Sequence, residues 1–180
     1  MHEHRFHGGV ARLRSPERLT WLEVDRVVEL SLQGGNIRHV LDVGTGTGVF
    51  AEAFSKLGLD VEGVDANPDM LAAARDLVAG VRFQEGTAES LPYPDTSFDL
   101  VFMGLLFHET DDRLKAMQEA ARVARQRVAI LEWPYETQDI GPGLDERLTE
   151  QEIKDLAAKA GLEMKQVDPL QKLVLYLLEK

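Results

Sequence analysis

Residues 40–48 read VLDVGTGTG, a short apolar run followed by three glycines at alternate positions, and an amphipathic helical pattern comes next. Glycine adopts positive φ angles and lets a ligand approach the backbone, because it has no Cβ. The start of the following helix supplies backbone N–H groups that have no partner within the helix. A strand, a glycine-rich turn and a helix in this order favour a nucleotide-type cofactor site at the turn.

Short apolar runs alternate with helical patterns along the rest of the chain. We predict strands at residues 38–43, 61–65, 81–84, 98–103, 127–133, 163–167 and 172–178. We predict helices at residues 16–32, 49–57, 68–79, 112–124 and 150–160. This alternation predicts an α/β fold, with a parallel sheet between two helical layers and ligands bound at the carboxyl ends of its strands. The last two strands are joined by a short turn and should therefore pair antiparallel.

The spacing of the glycines separates two classes of cofactor. Nicotinamide-binding turns usually read Gly-x-Gly-x-x-Gly, whereas here Val49 occupies the third glycine position and Gly48 comes one residue early. A carboxylate such as Asp42 is unfavourable beside a diphosphate but favourable beside the ammonium and sulfonium groups of S-adenosylmethionine. The turn therefore favours S-adenosylmethionine.

Asp65 ends the second predicted strand, 21 residues after Gly44. In Rossmann-like sites an acidic residue about 20 residues on accepts hydrogen bonds from the ribose hydroxyls. The alternative role for Asp65 is to cap the next helix, but Asn67 is already suited to that position. The spacing thus favours a ribose-binding role.

The glycine turn resembles the first motif of class I S-adenosylmethionine-dependent methyltransferases, and the resemblance extends from about Val40 to the C-terminus. It implies a Rossmann-like three-layer α/β/α sandwich with a seven-stranded, mostly parallel sheet of order 3-2-1-4-5-7-6, strand 7 being antiparallel. It also implies that Asp42 and the backbone of Gly44, Thr45 and Gly46 hold the methionine end of the cofactor.

Residues 61–67 resemble the second motif of the family, which implies that Asp65 binds the ribose and that Ala66 and Met70 lie beside the adenine. The turn after the third predicted strand corresponds to the part of the family's site that contacts the adenine edge.

In that turn the resemblance implicates Thr87, the N–H of Ala88 and the side chain of Glu89. The alternative for Glu89 is a solvated loop position. Residues 97–101 resemble the fourth motif, which implies that the carbonyl of Met103 faces the cofactor.

The acceptor side of the site is less clearly marked. Methyl transfer requires in-line attack on the methyl group, and it requires a general base only when the acceptor arrives protonated. His108 ranks first as that base, because its loop borders the predicted position of the methyl group. The alternative is that His108 packs or caps the next helix. The other candidate bases are Glu109, Glu132, Tyr135 and His7.

We divide the chain into an N-terminal lid-like helical segment, residues 1–34, and an S-adenosylmethionine-binding domain, residues 35–180, within one compact domain. Residues 6–18 resemble the lid-like region of methyltransferases near those of ubiquinone and menaquinone biosynthesis. This chain is shorter than those enzymes, and residues 125–127 replace their usual Pro-Gly-Gly turn. We therefore expect either a small acceptor or a homodimer whose second subunit completes the pocket.

An acidic composition limits the partners of the protein. Its 20 lysines and arginines against 31 aspartates and glutamates give a net charge of -11, which repels nucleic acids and anionic membranes. The chain has no cysteine, and we expect His2, His4 and His7 to belong to a mobile terminus, so we predict no metal site. The lack of a signal-peptide pattern and of a long apolar run favours the cytoplasm.

The sequence thus favours an S-adenosylmethionine-dependent methyltransferase that acts on a small-molecule acceptor. One alternative is a non-catalytic S-adenosylmethionine-binding partner or sensor protein, which would share the cofactor loops but lack a productive acceptor pocket. A second alternative is a nicotinamide-dependent oxidoreductase. It is disfavoured because Val49 and the early Gly48 depart from the glycine spacing of nicotinamide-binding turns.

Overall fold

A seven-stranded sheet forms the centre of residues 9–180, the part of the chain that the computed structural model describes. The strands are β1 (His39–Val43), β2 (Asp60–Asp65), β3 (Arg82–Glu85), β4 (Phe98–Gly104), β5 (Ala124–Glu132), β6 (Glu163–Pro169) and β7 (Val174–Glu179). Their order is β3-β2-β1-β4-β5-β7-β6, and β7 is antiparallel to both of its neighbours. The predicted order and the antiparallel last pair are confirmed.

Helices cover both faces of this sheet. They are α1 (Val10–Leu13), α2 (Pro16–Leu22), α3 (Val24–Leu32), α4 (Val49–Lys56), α5 (Pro68–Leu77), the 3-10 turn η1 (Phe107–Glu109), α6 (Arg113–Val123) and α7 (Glu150–Lys159). Successive side chains of the buried strand β4 enter opposite layers, as strand geometry requires. Val101 and Met103 pack with α6 and α7, whereas Leu100 and Phe102 pack with α3 and α4. The predicted three-layer α/β/α architecture is therefore confirmed.

The N-terminal helix predicted over residues 16–32 is two helices in the structure. Glu23 adopts a left-handed conformation with φ of 48° and separates α2 from α3. The bend allows Leu22 on one helix and the adjacent Val27 and Val28 on the other to be buried together. A single straight helix would not bring all three onto one face.

The prediction for the junction between α6 and β5 was also wrong in its bounds. The helix ends at Val123 and the strand begins at Ala124, so no loop separates them. Ala124 pairs with Phe98, and the register between β4 and β5 shifts before Leu100. This irregular pairing lengthens β5 towards the helix, and the helical period of the sequence did not indicate it.

No helix within residues 9–180 is both long and apolar enough to cross a membrane. The expectations for His2, His4 and His7 lie outside the described residues.

Arg127 fastens α3 to the sheet, because its buried guanidinium donates to the carbonyls of Ser31 and Gln33 at 2.9 Å each.

Candidate active site

A cavity of about 1200 Å³ opens at the carboxyl ends of β1 to β5, where the order of the strands reverses between β1 and β4. Loops that follow each of these strands contribute to its wall, and α1 and α2 close it from the N-terminal side. This is the position at which open α/β sheets bind ligands. The predicted location of the site agrees with the structure.

The glycine turn after β1 adopts a backbone that other residues seldom adopt. The φ angles of Gly44, Gly46 and Gly48 are 68°, 54° and 77°. A Cβ at Gly44 would lie 2.8 Å from the side chain of Leu106. The N–H of Gly44 donates to the Val64 carbonyl at 2.8 Å, which holds the turn against β2. Gly44 and Gly46 both line the cavity.

Asp65 joins the turn after β1 to the turn after β2. One carboxylate oxygen accepts from the N–H of Gly46 at 2.8 Å, and the other accepts from the N–H of Asn67 at 2.8 Å. Each carboxylate oxygen can accept more than one hydrogen bond, so these contacts leave capacity for ligand hydroxyls. Ala66 and Met70 line the cavity beside Asp65. Asn67 caps α5, as the sequence predicted.

Thr87, Ala88 and Glu89 line the cavity in the turn after β3. Glu119 on α6 holds this turn in place by accepting from the N–H of Leu91 at 2.8 Å. The side chain of Glu89 accepts from the N–H of Asp111 at 3.1 Å. Glu89 therefore connects the turn after β3 to the segment that follows η1.

Three predicted cofactor residues lie outside the wall of the large cavity. Met103 is a buried residue of β4, and Asp42 is 2% exposed. The Asp42 carboxylate accepts from the hydroxyl of Thr45 at 2.7 Å and from the N–H of Ala51 at 3.2 Å. Burial raises the pKa of Asp42 to about 7, although these two hydrogen bonds oppose the change. Asp42 and Thr45 border a neighbouring cavity of about 60 Å³.

His108 and Glu132 form a buried pair at the acceptor side. His108 lies in η1 after β4, and Glu132 ends β5, so the pairing of these two strands brings the residues together. His108 Nδ1 is 3.0 and 2.9 Å from the two carboxylate oxygens of Glu132. Only 9% of the His108 side chain and 3% of the Glu132 side chain are exposed. A carboxylate at Nδ1 keeps the proton there and leaves Nε2 as the free base in the neutral imidazole.

The charges around His108 favour its protonated form. Desolvation lowers the pKa of His108, but the charge and hydrogen bond of Glu132, together with Glu109 and Glu146, raise it above its ordinary value. The Nε2 atom is 3.6 Å from a carboxylate oxygen of Glu109. Among the other candidate bases, Glu109 lines the cavity and Tyr135 is 55% exposed outside it. His7 lies outside the described residues.

The loop between β5 and α7 lines the cavity, and the sequence analysis named Tyr135 in this loop but did not identify the role of Arg147. Arg147, which is 5% exposed, donates to the carbonyls of Pro134, Glu136, Ile140 and Pro142 at 2.7–3.0 Å. The guanidinium also lies 5.4 Å from the ring centroid of Trp133. The sequence shows the turn-forming residues Gly141, Pro142 and Gly143 before Arg147, but it does not show that this arginine is buried.

Two tryptophans connect this loop to the N-terminal helices. The ring centroids of Trp21 on α2 and Trp133 after β5 are 5.4 Å apart, and both residues line the cavity. Arg14 fastens the same N-terminal segment to the glycine turn, because it donates to the carbonyl of Thr47 at 2.7 Å and to Glu52 at 2.7 Å. Residues between Arg12 and Trp21 therefore form part of the wall of the cavity.

The sequence and the fold of this chain are similar to those of known methyltransferases. The uncharacterized methyltransferase YcgJ of Bacillus subtilis is 46% identical over 93 residues, which cover 49% of this chain and 37% of that protein. The demethylmenaquinone methyltransferase of Chlorobaculum tepidum is 39% identical over 95 residues, which cover 52% of this chain and 39% of that protein. The chain thus matches less than half the length of these two relatives.

A solved structure matches nearly the whole chain. The crystal structure of a SAM-dependent methyltransferase from Aquifex aeolicus has a TM-score of 0.84 and 27% identity, and the match covers 93% of this chain and 95% of that one. The profile of the family described as "Methyltransferase domain" matches residues 41–131, half of the chain. This match spans β1 to β5 and so includes the glycine turn, Asp65 and His108. The chain therefore belongs to the methyltransferase-domain family of S-adenosylmethionine-dependent methyltransferases.

Proposed function

We propose that this protein binds S-adenosylmethionine at the glycine turn and transfers its methyl group to a small-molecule acceptor. The observation that carries the proposal is that one cavity borders the glycine turn, Asp65 and His108, whose ring is held from behind the cavity wall by Glu132. When bound, the cofactor supplies an electrophilic methyl group. The residues of this chain position the cofactor and the acceptor, and they remove the proton from the acceptor.

The residues of the cavity suit the cofactor part by part. Asp65 offers carboxylate oxygens to the ribose hydroxyls, and Ala66 and Met70 offer an apolar surface for the adenine. The left-handed glycines leave space beside the turn for the rest of the molecule. The carboxylate of buried Asp42 favours a nearby cation, although Asp42 borders the small cavity and not the large one.

His108 is proposed to remove the proton from the acceptor. Glu132 holds Nδ1, and this contact fixes the orientation of the ring and leaves Nε2 to accept a proton. Because the pKa of His108 is raised, chiefly by the charge and hydrogen bond of Glu132, the active neutral form needs a higher pH than it would in an ordinary histidine. We therefore expect the rate to fall as the pH is lowered through this raised pKa.

The proposed acceptor is a small molecule that fits between η1 and the loop after β5. The name of the Chlorobaculum tepidum relative places quinones among the first acceptors to screen. A buried base on the wall of the same cavity favours an enzyme over a non-catalytic binding protein.

The test combines a binding titration with a rate measurement. Calorimetry should show binding of S-adenosylmethionine and S-adenosylhomocysteine and no binding of NADH. Methyl transfer from labelled cofactor to a panel of small acceptors should then identify a substrate. With that substrate, His108→Gln should lower kcat by about 100-fold or more, while the Kd for S-adenosylhomocysteine should stay within about twofold of wild type.

His39→Gln is the matched control, because His39 lies at the opposite end of β1 and its side chain is 46% exposed. It should change neither the rate nor the binding. Binding of NADH, or failure to bind either S-adenosyl compound, would overturn the proposal. An unchanged kcat in His108→Gln would refute only the role of His108 as the base.

We also propose that residues 1–34 act as a cover for the cavity, on the basis of the described residues 9–34. Arg14 is the contact that would hold α1 and α2 over the glycine turn. Arg14→Ala should therefore increase the dissociation rate of S-adenosylhomocysteine in a stopped-flow experiment. The homodimer remains a prediction, and sedimentation equilibrium would test it.

A further inference from the structure

The base of the proposed function lies in a short segment between β4 and α6, residues 105–112. The segment contains a single 3-10 turn, and a turn of this length has little stability of its own. Its position therefore depends on contacts with neighbouring elements. Two of these contacts act on His108 itself: Glu132 accepts from the His108 N–H at 3.1 Å, and Arg113 donates to the His108 carbonyl at 3.3 Å.

The other end of this segment is held from the turn after β3. Glu89 Oε1 accepts from the N–H of Asp111 at 3.1 Å. Asp112 caps α6 by accepting from the N–H of Lys115 at 2.9 Å. Because Asp111 precedes this cap, its N–H takes no part in the hydrogen bonds of the helix. The carboxylate of Glu89 supplies an acceptor, and an ionised acceptor makes a stronger bond than a neutral one.

The turn that carries Glu89 is itself fixed to α6. Glu119 on this helix accepts from the N–H of Leu91 at 2.8 Å. Arg122 on the same helix donates to the carbonyls of Leu91 and Tyr93 at 3.1 and 2.8 Å, and it binds Glu119 at 2.7 Å. Glu89 therefore reaches the base segment from a supported turn, as a side chain must in order to fix the position of another residue.

We propose that Glu89 is a positioning residue that holds His108 in place through the N–H of Asp111. This inference rests on the proposed function for the role of His108 as the base. Thr87 and Ala88, which precede Glu89, line the same cavity as His108. A cofactor seated against this turn would thus lie in a fixed geometry relative to the base, which is the condition for efficient transfer. In this role the Glu89 carboxylate binds the backbone of the base segment rather than the adenine edge.

The state of the His108 ring reports its position, and it can be measured without cofactor or acceptor. Desolvation lowers the pKa of His108, whereas Glu132, Glu109 and Glu146 raise it, and the net direction is upward. A loosened segment weakens all of these effects, so the pKa should fall towards the ordinary histidine value. Loss of the fixed contact between Nδ1 and Glu132 should also make the neutral ring a mixture of its two tautomers. NMR titration of protein with isotope-labelled histidines measures both quantities, and His108→Gln identifies the His108 signal.

Three variants separate the hydrogen bond of Glu89 from its charge. Glu89→Ala removes the acceptor, so it should lower the pKa of His108, mix its tautomers and reduce kcat by about 10-fold. Glu89→Gln removes the charge but keeps an amide oxygen that accepts from Asp111, so its His108 signals and its rate should stay close to those of wild type. Glu85→Ala is the matched control, because Glu85 is exposed at the end of β3 outside the described wall of the cavity. It should change none of these quantities, and thermal unfolding verifies that each variant is folded.

Calorimetry tests the competing role, in which the Glu89 carboxylate binds the amino group at the adenine edge. S-adenosylhomocysteine has that amino group, and S-inosylhomocysteine has a carbonyl oxygen in its place. If Glu89 positions His108, Glu89→Ala leaves the preference between these two ligands unchanged. If Glu89→Ala abolishes the preference and leaves the His108 signals as they are in wild type, Glu89 binds the cofactor and the inference is overturned.

The remaining failures are distinguishable from one another. Unchanged His108 signals or an unchanged kcat in Glu89→Ala would each overturn the inference, even where the cofactor binds as proposed. Equal effects of Glu89→Ala and Glu89→Gln would assign the change to the charge of Glu89 and overturn it as well. Failure of the wild-type protein to bind S-adenosylhomocysteine would overturn the proposed function, and the catalytic meaning of the inference with it, whatever the NMR titration shows.

Discussion

Replacement of Arg147 by alanine should destabilise the protein and open the loop after β5. The guanidinium donates to four backbone carbonyls at 2.7–3.0 Å and packs over Trp133. Its removal leaves these carbonyls without their donor in a region where Arg147 itself is 5% exposed. A buried hydrogen-bonding group that loses its partner typically costs about 1–3 kcal/mol, and we expect a total of about 3 kcal/mol for the four carbonyls because the loop can rehydrate.

Denaturant unfolding measures this change directly, and fluorescence reports where it occurs. The protein has two tryptophans, and Trp21 and Trp133 lie 5.4 Å apart beside this loop. Arg147→Ala should lower the free energy of unfolding by about 3 kcal/mol and shift tryptophan emission to the red. Hydrogen exchange should increase most within residues 134–147. Arg147→Lys should recover less than half of the loss, because a single ammonium does not span the four carbonyls.

Arg82→Ala is the control, because the Arg82 side chain is 73% exposed and forms one contact with Glu62. An exposed ion pair of this kind contributes about 0–1 kcal/mol. The assigned role of Arg147 would be refuted if Arg147→Ala lost no more stability than this control. Faster exchange spread evenly over the chain would also contradict a local effect on the loop.

Three aspartates give further expected outcomes. Asp65→Ala should weaken S-adenosylhomocysteine binding by about 1–3 kcal/mol in calorimetry, because it removes the acceptor for the ribose and for the N–H of Gly46; an unchanged affinity would exclude ribose binding. Burial raises the pKa of Asp42 to about 7. Binding of the cationic cofactor should therefore release a proton from Asp42, and the affinity should increase between about pH 6 and pH 8. Asp42→Asn should abolish this pH dependence of the affinity. Burial tends to raise the pKa of Asp99, but hydrogen bonds from the N–H groups of His39 and Arg38 and from Arg125 outweigh it and lower the pKa to about 2. Its contribution to stability should therefore be present above about pH 4 and be lost as the pH falls towards about 2, so urea unfolding of Asp99→Asn should depend less on pH in that range.

The cofactor side of the site could be predicted from local sequence. The left-handed turn of Gly44 and Gly46 and the cap at Asn67 depend on residues close together in the chain, so their pattern is visible before folding. The spacing from Gly44 to Asp65 corresponds to one strand–helix–strand unit, which places the two turns side by side. Similar short-range signals marked the helices and strands, apart from α1, η1, the bend at Glu23 and the start of β5.

The acceptor side depended on contacts between distant residues. His108 and Glu132 are 24 positions apart and meet only because β4 and β5 pair in one register. The sequence named both as candidate bases but did not indicate that one holds the other. Similarly, Arg18 of α2 and the glycine turn border one small cavity although they are far apart in the sequence.

The sequence by itself determined the order of the elements, the position of the glycine turn and the acidic residue paired with it, because helical and strand periods and turn chemistry are local properties. Tertiary structure alone decided which side chains face the cavity. Asp42 belongs to the motif yet is buried away from the large cavity, whereas Trp133 carried no motif and lines that cavity, and Arg147 holds the loop that follows Trp133. Burial, pKa and hydrogen-bond partners depend on which chain segments pack against a residue, and that is settled only when the sheet and its two helical layers assemble.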